Sequence, residues 1–381
     1  MQIEPLSAGS EPLGYLRAAW QDERRAPYVL QRLTTVRELD ALRNEWGPLA
    51  AKAGNIFGTW EWVAVWWRHF GAGRRLTAIA CRSSTGRLVA VVPLYELVAG
   101  PFKVSRFVGH GAGDALSPVC DPADRPEVSR AVRSVFGDRR WGSDLLLAER
   151  MPAEQGWSGL LNGRLVRREP SPVLRLAGMS WDEFLASRSG NFRQQLRRSQ
   201  RRLSRHDGYR IRLANDPAGL ERDMETLMSL HRARWGASDR RAFAGRRRAF
   251  HLEWAAAALA RGWLRLWLME VGGTPIAAWY GFRYGGSEWY YQSGRDPAWS
   301  RESPGFVLMC HSLKEAMDDG AREYRFLRGG ESYKVRFTSH DPGIDTVVLG
   351  NPILAGSMTI AARIAKSLPS WARKHLSIAV G

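Results

Sequence analysis

The stretch "SPGFVLMCHSLKEAMDDGAREYRFLRGGESYKVRF", Ser303 to Phe337, is where the fold can be read most directly. Pro304 and Gly305 open an apolar-periodic run that stops at Gly320, which predicts a helix. Pro suits a first helical turn because its missing N–H would be unpaired there. "EYRFLRG" then reads as a short closing strand, and upstream "EWYYQSG" is a strand that leads through "RDPAWSRESPG" into the helix. The free N–H groups of the first turn suit a phosphate or pyrophosphate, and Gly305 lets a ligand approach the backbone. The same residues also suit an ordinary helix start.

The pattern extends in both directions. "PAGLERDMETLMSLHRARWG" and "RRRAFHLEWAAAALARG" are two helices that stop at Gly236 and Gly262. "WLRLWLMEV", a "GGTP" turn and "IAAWYGFRY" form a hairpin. The first half repeats this order. A helix runs from Thr34 or Thr35 to Gly54, and "TWEWVAVWWRHFG" is a second. "LTAIAC" and "LVAVVPLYEL" form a hairpin, "VSRFVG" is a strand, and a long loop precedes a helix near Glu127–Phe136 and the strand "DLLLAE". Two similar α/β domains with mixed central sheets are expected. Residues 1–27 form a loose lead-in, 28–185 the first domain, 186–210 a connector, 211–350 the second domain and 351–381 a C-terminal tail.

The connector "NFRQQLRRSQRRLSRHDG" places Phe192, Leu196, Ser199 and Leu203 on one stripe and arginines around the rest. A free nucleic-acid arm needs no apolar stripe, whereas a docked connector does. The tail mixes Ile, Leu, Met and Trp371 with Arg363, Lys366, Arg373 and Lys374. That suits either a packed terminal helix or one lying on an anionic membrane surface.

Lys and Arg number 56 against 38 Asp and Glu, a net charge of +18. Such a balance favours anionic partners: nucleic acid, an anionic membrane face, an acidic acyl carrier protein or a polyphosphate cofactor. Three scattered cysteines, Cys81, Cys120 and Cys310, argue against a disulfide framework or a zinc site, so no metal is expected. No secretory signal and no apolar run of bilayer-spanning length are visible, so a cytoplasmic protein is expected, peripheral to the inner membrane face if the tail binds lipid.

The candidate phosphate-binding junction comprises Arg301, Ser303, Pro304, Gly305 and Phe306. The corresponding first-half loop is crowded by Asp114, Asp121, Asp124 and Glu127, which would repel a pyrophosphate, so the second half alone is expected to hold a cofactor. After the closing strand, Gly329 and Gly330 permit a sharp turn that gathers Arg328, Glu331, Tyr333 and Lys334. A tyrosine there can protonate a thiolate leaving group, and Lys334 can lower its pKa. A surface turn with a packed tyrosine is the other reading. His231 falls on the inward stripe Leu220, Met224, Leu227, His231, Trp235. Glu288, Tyr290 and Gln292 alternate onto one strand face. His231 or Glu288 is the candidate base, and Trp235 and Tyr290 are candidate substrate contacts.

The Ser303–Phe337 run, "LHRARWG", "NFRQQLRRSQRRL" and "FGTWEWVAVWWRHFG" together resemble the bacterial tandem GNAT acetyltransferases linked to cellulose and other polysaccharide biosynthesis. The resemblance covers roughly Leu33 to Asn351. It implies two GNAT-like (acyl-CoA N-acyltransferase) domains, with an acetyl-CoA or longer acyl-CoA site in the second. It implies direct transfer to an amine or hydroxyl of a small-molecule, lipid or sugar acceptor. Backbone N–H groups around Gln292, Ser293 and Gly294 would polarise the thioester carbonyl, and Tyr333 would protonate the thiolate. The Fem-type transferases, which use aminoacyl-tRNA, are similar in the same double fold, so a tRNA-dependent transferase or a non-catalytic scaffold are the alternatives. Sequence-specific nucleic-acid reading is not expected.

Overall fold

The computed structural model describes residues 15–16, 28–99, 102–137, 143–236 and 242–350. The tail, and most of the lead-in, lie outside the described residues.

The first half runs β1 (Tyr15–Leu16), β2 (Val29–Leu33), α1 (Val36–Ala41), α2 (Arg43–Ala53), α3 (Trp60–Phe70), β3 (Arg75–Leu76), β4 (Ala78–Arg82), β5 (Leu88–Val92), β6 (Leu94–Ala99), β7 (Phe102–Phe107), β8 (Val119–Cys120), α4 (Arg125–Gly137), β9 (Leu145–Pro152), α5 (Trp157–Leu160), β10 (Arg164–Glu169) and β11 (Val173–Arg175). Then follow α6 (Trp181–Ser187), α7 (Gly190–Leu203), β12 (Arg210–Leu213), α8 (Leu220–Trp235), α9 (Arg246–Ala260), β13 (Leu264–Val271), β14 (Thr274–Tyr284), β15 (Ser287–Arg295), α10 (Pro304–Asp318), β16 (Glu323–Arg325) and β17 (Ile344–Gly350).

Local chemistry sets these limits. Thr35 caps α1 in a reciprocal capping box with Glu38. Gly54 ends α2 in the left-handed region, at φ 66°. The expected single helix up to Gly54 is two, because the chain turns at Leu42 and both segments then bury apolar residues, Leu39 in α1 and Trp46 and Leu49 in α2. The expected first-half hairpin is also interrupted. Pro93 has no N–H to donate, and there the chain passes from β5, paired with β4, to β6, paired with β3 and β7. The lead-in contributes β1, paired with β2.

The strands form sheets of order β1-β2-β4-β5-β8, β10-β17-β9-β7-β6-β3 and β11-β16-β15-β14-β13-β12. Both larger sheets are mixed: β7 runs parallel to β9, and β15 parallel to β16, among antiparallel neighbours. Each half also lends a strand. β17, late in the chain, lies between β9 and β10 of the first half, and β11 closes the second-half sheet against β16.

The halves share a core. Trp62 of α3 meets Trp254 and Phe250 of α9 edge-on, with ring centroids 4.9 and 5.2 Å apart. Phe57 meets Trp289 at 5.7 Å. Such aromatic pairs add about 0.5–1.5 kcal/mol beyond their buried area. The connector α7 is docked by Phe192, Leu196, Ser199 and Leu203, all buried, with Phe192 packed on Phe306 of α10 at 5.0 Å.

Candidate functional site

β15 and β16 pair in parallel only over Ser287–Trp289 and Glu323–Arg325. Beyond that, β15 continues to Arg295 while the other chain turns away at Phe326. Leu327 adopts φ 55°, an uncommon conformation for a branched side chain, and starts the turn that carries Gly329 and Glu331 back across the gap. The opening so formed is a cleft of about 290 Å³ lined by Trp235, Tyr290, Tyr291, Gln292, Phe326, Leu327, Arg328, Glu331, Tyr333 and Lys334, with Asp114 from the first half.

Inside it, hydroxyls form a chain. Tyr333 donates to Tyr290 Oη at 3.3 Å, and Tyr290 Oη lies 2.6 Å from Ser293 Oγ. Arg234 donates to Ser293 Oγ at 2.6 Å, and its guanidinium lies 5.8 Å from the centre of the Tyr333 ring. Burial, followed by Tyr290, pushes the Tyr333 hydroxyl well above its ordinary value. The expectation that Lys334 lowers it is corrected. Lys334 is buried and spends its ammonium on the carbonyls of Leu327, Arg328 and Gly329, at 3.4, 2.8 and 3.3 Å, and on Glu331 at 2.9 Å. Lys334 therefore ties down the turn.

A second cleft of about 400 Å³ adjoins the first and shares Asp114, Tyr291, Gln292, Arg328 and Glu331 with it. Gly111, Ala112 and Arg150 wall it from the first half, and Arg247 and His251 from α9. Tyr291 Oη donates to Ala112 O at 2.8 Å, and Arg247 to Gly111 O at 3.3 Å, fixing the wall. Arg150 holds Asp114 at 2.9 Å. His251 is almost wholly buried, and burial, with Arg247 and His231 adding to it, holds its pKa down to about 3. The imidazole is neutral at physiological pH.

The other candidates fall elsewhere. Tyr290 packs in one core and Tyr291 in the other, as strand neighbours do, but a register shift between Tyr290 and Gln292 breaks the alternation, so Gln292 does not continue the face of Glu288 and Tyr290. Glu288 lines neither cleft. It is buried against Arg283 at 2.6 Å, and burial raises its carboxyl to about 7. His231 is buried beneath β15, packed on Phe243 at 5.0 Å, and it too lines neither cleft. At this contact a Cβ on Gly294 would come within 2.3 Å of the His231 backbone N, so only glycine allows α8 to seat here.

The α10 junction is built as a helix start. Ser303 takes φ 54° without a side-chain cap, Pro304 is buried in the first turn, and a Cβ on Gly305 would meet only Arg295 Cδ, at 3.5 Å. Arg301 is exposed, and its carbonyl accepts from Arg202 of α7 at 3.0 Å. Phe306 is a packing residue, capped by Arg336 at 4.7 Å.

The first half has the corresponding opening, and it is filled. β7 and β9 pair over Val104–Arg106 and Leu145–Leu147. At the end of that pairing Arg106, with His110 beyond it, holds Glu149 at 2.5 and 3.2 Å, and Val108, Ala112, Ala115 and Leu116 are buried. Burial works against the charge of Glu149, but His110 and Arg106 outweigh it and keep the carboxyl below its ordinary value. The loop that fills this opening is the one that walls the second cleft.

Residues 190–335 match the family model described as the acetyltransferase (GNAT) domain. The match spans α7 and most of the second half. The chain's fold is similar to that of "FemX", at 13% identity and TM-score 0.58 over 82% of this chain and 97% of that one. It is similar to "L-PGS from Bacillus licheniformis", at 13% identity and TM-score 0.52 over 87% and 96%. It is also similar to the C-terminal domain of a putative lysylphosphatidylglycerol synthetase from Agrobacterium fabrum, at 12% identity and TM-score 0.52 over 86% and 96%. No curated protein matches it. Among the described residues there is no metal-binding cluster, and no helix is long and apolar enough to cross a membrane.

Sequence reasoning missed Asp114 as a site residue, and with it Arg150, Arg247, His251 and Tyr291. Arg247 and His251 stand one turn apart on α9, a spacing visible in the sequence. The approach of the 111–114 loop from the other half had no local signal.

Proposed function

We propose that the chain is an acyl-CoA-dependent acyltransferase that moves an acetyl or longer acyl group to an amine or hydroxyl acceptor. The parting of β15 from β16 carries this reading, because it opens a cleft beside Tyr333 in the second half, whereas the first-half equivalent is filled by Arg106, His110 and Glu149. The thioester arm lies between the parted strands, with the phosphates toward the first turn of α10, where backbone N–H groups and Arg295 and Arg301 favour anions. The acceptor enters through the adjoining cleft. Its nitrogen or oxygen attacks the thioester carbonyl carbon, and N–H groups of β15 beyond Trp289 take up the developing oxyanion. The carbon–sulfur bond breaks, and the thiolate takes the Tyr333 proton. The acceptor's proton passes to a group of its own cleft, where Asp114, Glu331 and neutral His251 stand, rather than to Glu288 or His231. The test is thiol release from acetyl-CoA with panels of amine and hydroxyl acceptors. Acceptor-dependent release supports the reading, and failure of acetyl-CoA to bind at all ends it.

A further inference from the structure

Six arginines, Arg193, Arg197, Arg198, Arg201, Arg202 and Arg205, lie between Gly190 and Arg205, a stretch without one acidic residue. Two have structural work. Arg193 donates to the carbonyls of Leu185, Ala186 and Arg188 at the end of α6, and Arg202 to Arg301 O. The other four, Arg197, Arg198, Arg201 and Arg205, are exposed and make no ion pair among the described residues. At about 100° per residue Arg197, Arg198 and Arg201 fall within one arc of roughly 100°, facing away from the buried stripe of Phe192, Leu196, Ser199 and Leu203, and Arg205 follows in the turn after the helix. Arg197 and Arg201 stand at i, i+4 on α7, a spacing at which like charges destabilise a helix. The charge row is therefore a standing cost that an anionic partner would relieve.

Its position gives it a use. α7 flanks the donor end of the site: Phe192 packs on Phe306, and Arg336, three residues after Tyr333, bonds Gln195 of α7 at 2.8 Å. We infer that α7 is the docking surface for an acidic acyl carrier protein, which presents its acyl thioester on a phosphopantetheine arm. This rests on the donor reading above and extends it from a free to a protein-borne donor. The arm enters the β15–β16 cleft, the acyl carbon leaves its sulfur for the acceptor, and the arm departs as a thiol with the Tyr333 proton. Two features disfavour other polyanions. The apolar face that a membrane helix would need is already docked in protein. The residues interleaving the arginines, Gln194, Gln200 and Ser204, offer no ring for stacking a base.

The probe is an acidic holo acyl carrier protein bearing an acetyl group, titrated against the full chain by fluorescence anisotropy at low and physiological salt. Binding is expected, weakening with salt. R197Q/R198Q/R201Q/R205Q should weaken it roughly tenfold or more while acetyl-CoA affinity stays unchanged. The four-fold Arg→Lys variant should keep most of it, because charge is the determinant. Equal carrier affinity in wild type and the Gln variant, with acetyl-CoA still bound, overturns the docking surface and leaves the donor site standing. Structured RNA held at physiological salt and lost in the Gln variant also overturns it, and assigns α7 to an aminoacyl-tRNA. No acetyl-CoA binding by wild type removes the donor site, and this inference with it.

Discussion

Tyr333 donates into a hydroxyl chain that runs through Tyr290 and Ser293 to Arg234, and burial raises its hydroxyl above the ordinary value. Tyr333→Phe keeps the ring and removes the proton. A CoA thiolate is a fairly good leaving group, so kcat should fall about a hundredfold, the low end of general-acid effects, with acyl-CoA affinity within a few-fold. Normal turnover from about pH 6 to about pH 9 would return the segment to a structural turn. Glu288 makes the opposite case. Its carboxyl is raised to about 7 in the folded chain, chiefly by burial, so the native state holds a proton that the unfolded chain releases near the ordinary carboxylate range. Stability from this group is therefore full at low pH and declines as pH rises through that window to about 7. Glu288→Gln removes the slope. Its Tm should gain on wild type between about pH 4.5 and about pH 7 and then run parallel, with kcat within a few-fold. A large loss of kcat without unfolding would instead make Glu288 the base.

At the scale of elements, β17 is the informative one. Val347 and Val348 are buried between β9 and β10, far from their own sequence neighbours. Val347→Asp puts a carboxylate into that core at a cost of several kcal/mol. Hydrogen exchange should speed up across β9 and β10 while β13 and β14 keep their protection. A change confined to residues 344–350 would show that the strand is an ornament. The same element explains what the sequence could not reveal. Capped and glycine-stopped helices, the β13–β14 hairpin and the α7 stripe were legible because their signals are local. Pairing of residues 164–169 with 344–350 is not local, and neither is β11 closing the other sheet. The one-residue shift at Tyr291, which decides what faces the cleft, leaves no mark in a run of aromatic residues.

For the whole molecule, the halves differ in what fills the gap between two parallel strands. In the first half it is an ion-paired network and four buried apolar residues; in the second it is a cleft. The sequence reading assigned the cofactor to the second half on the acids of the first-half loop. Of those acids, Asp114 is paired with Arg150, Asp121 with Lys52 and Glu127 with Arg130, so the structural difference between the halves is the filling of the gap. The most direct test is calorimetric titration of the wild-type chain and Gly305→Glu with acetyl-CoA. A side chain at residue 305 finds space beside Arg295, so the variant should fold while placing a carboxylate at the phosphates. The account predicts one site per wild-type chain and an affinity loss well over tenfold, about 1.4 kcal/mol or more, in the variant. Two sites per chain, or an unchanged dissociation constant in Gly305→Glu, would contradict it.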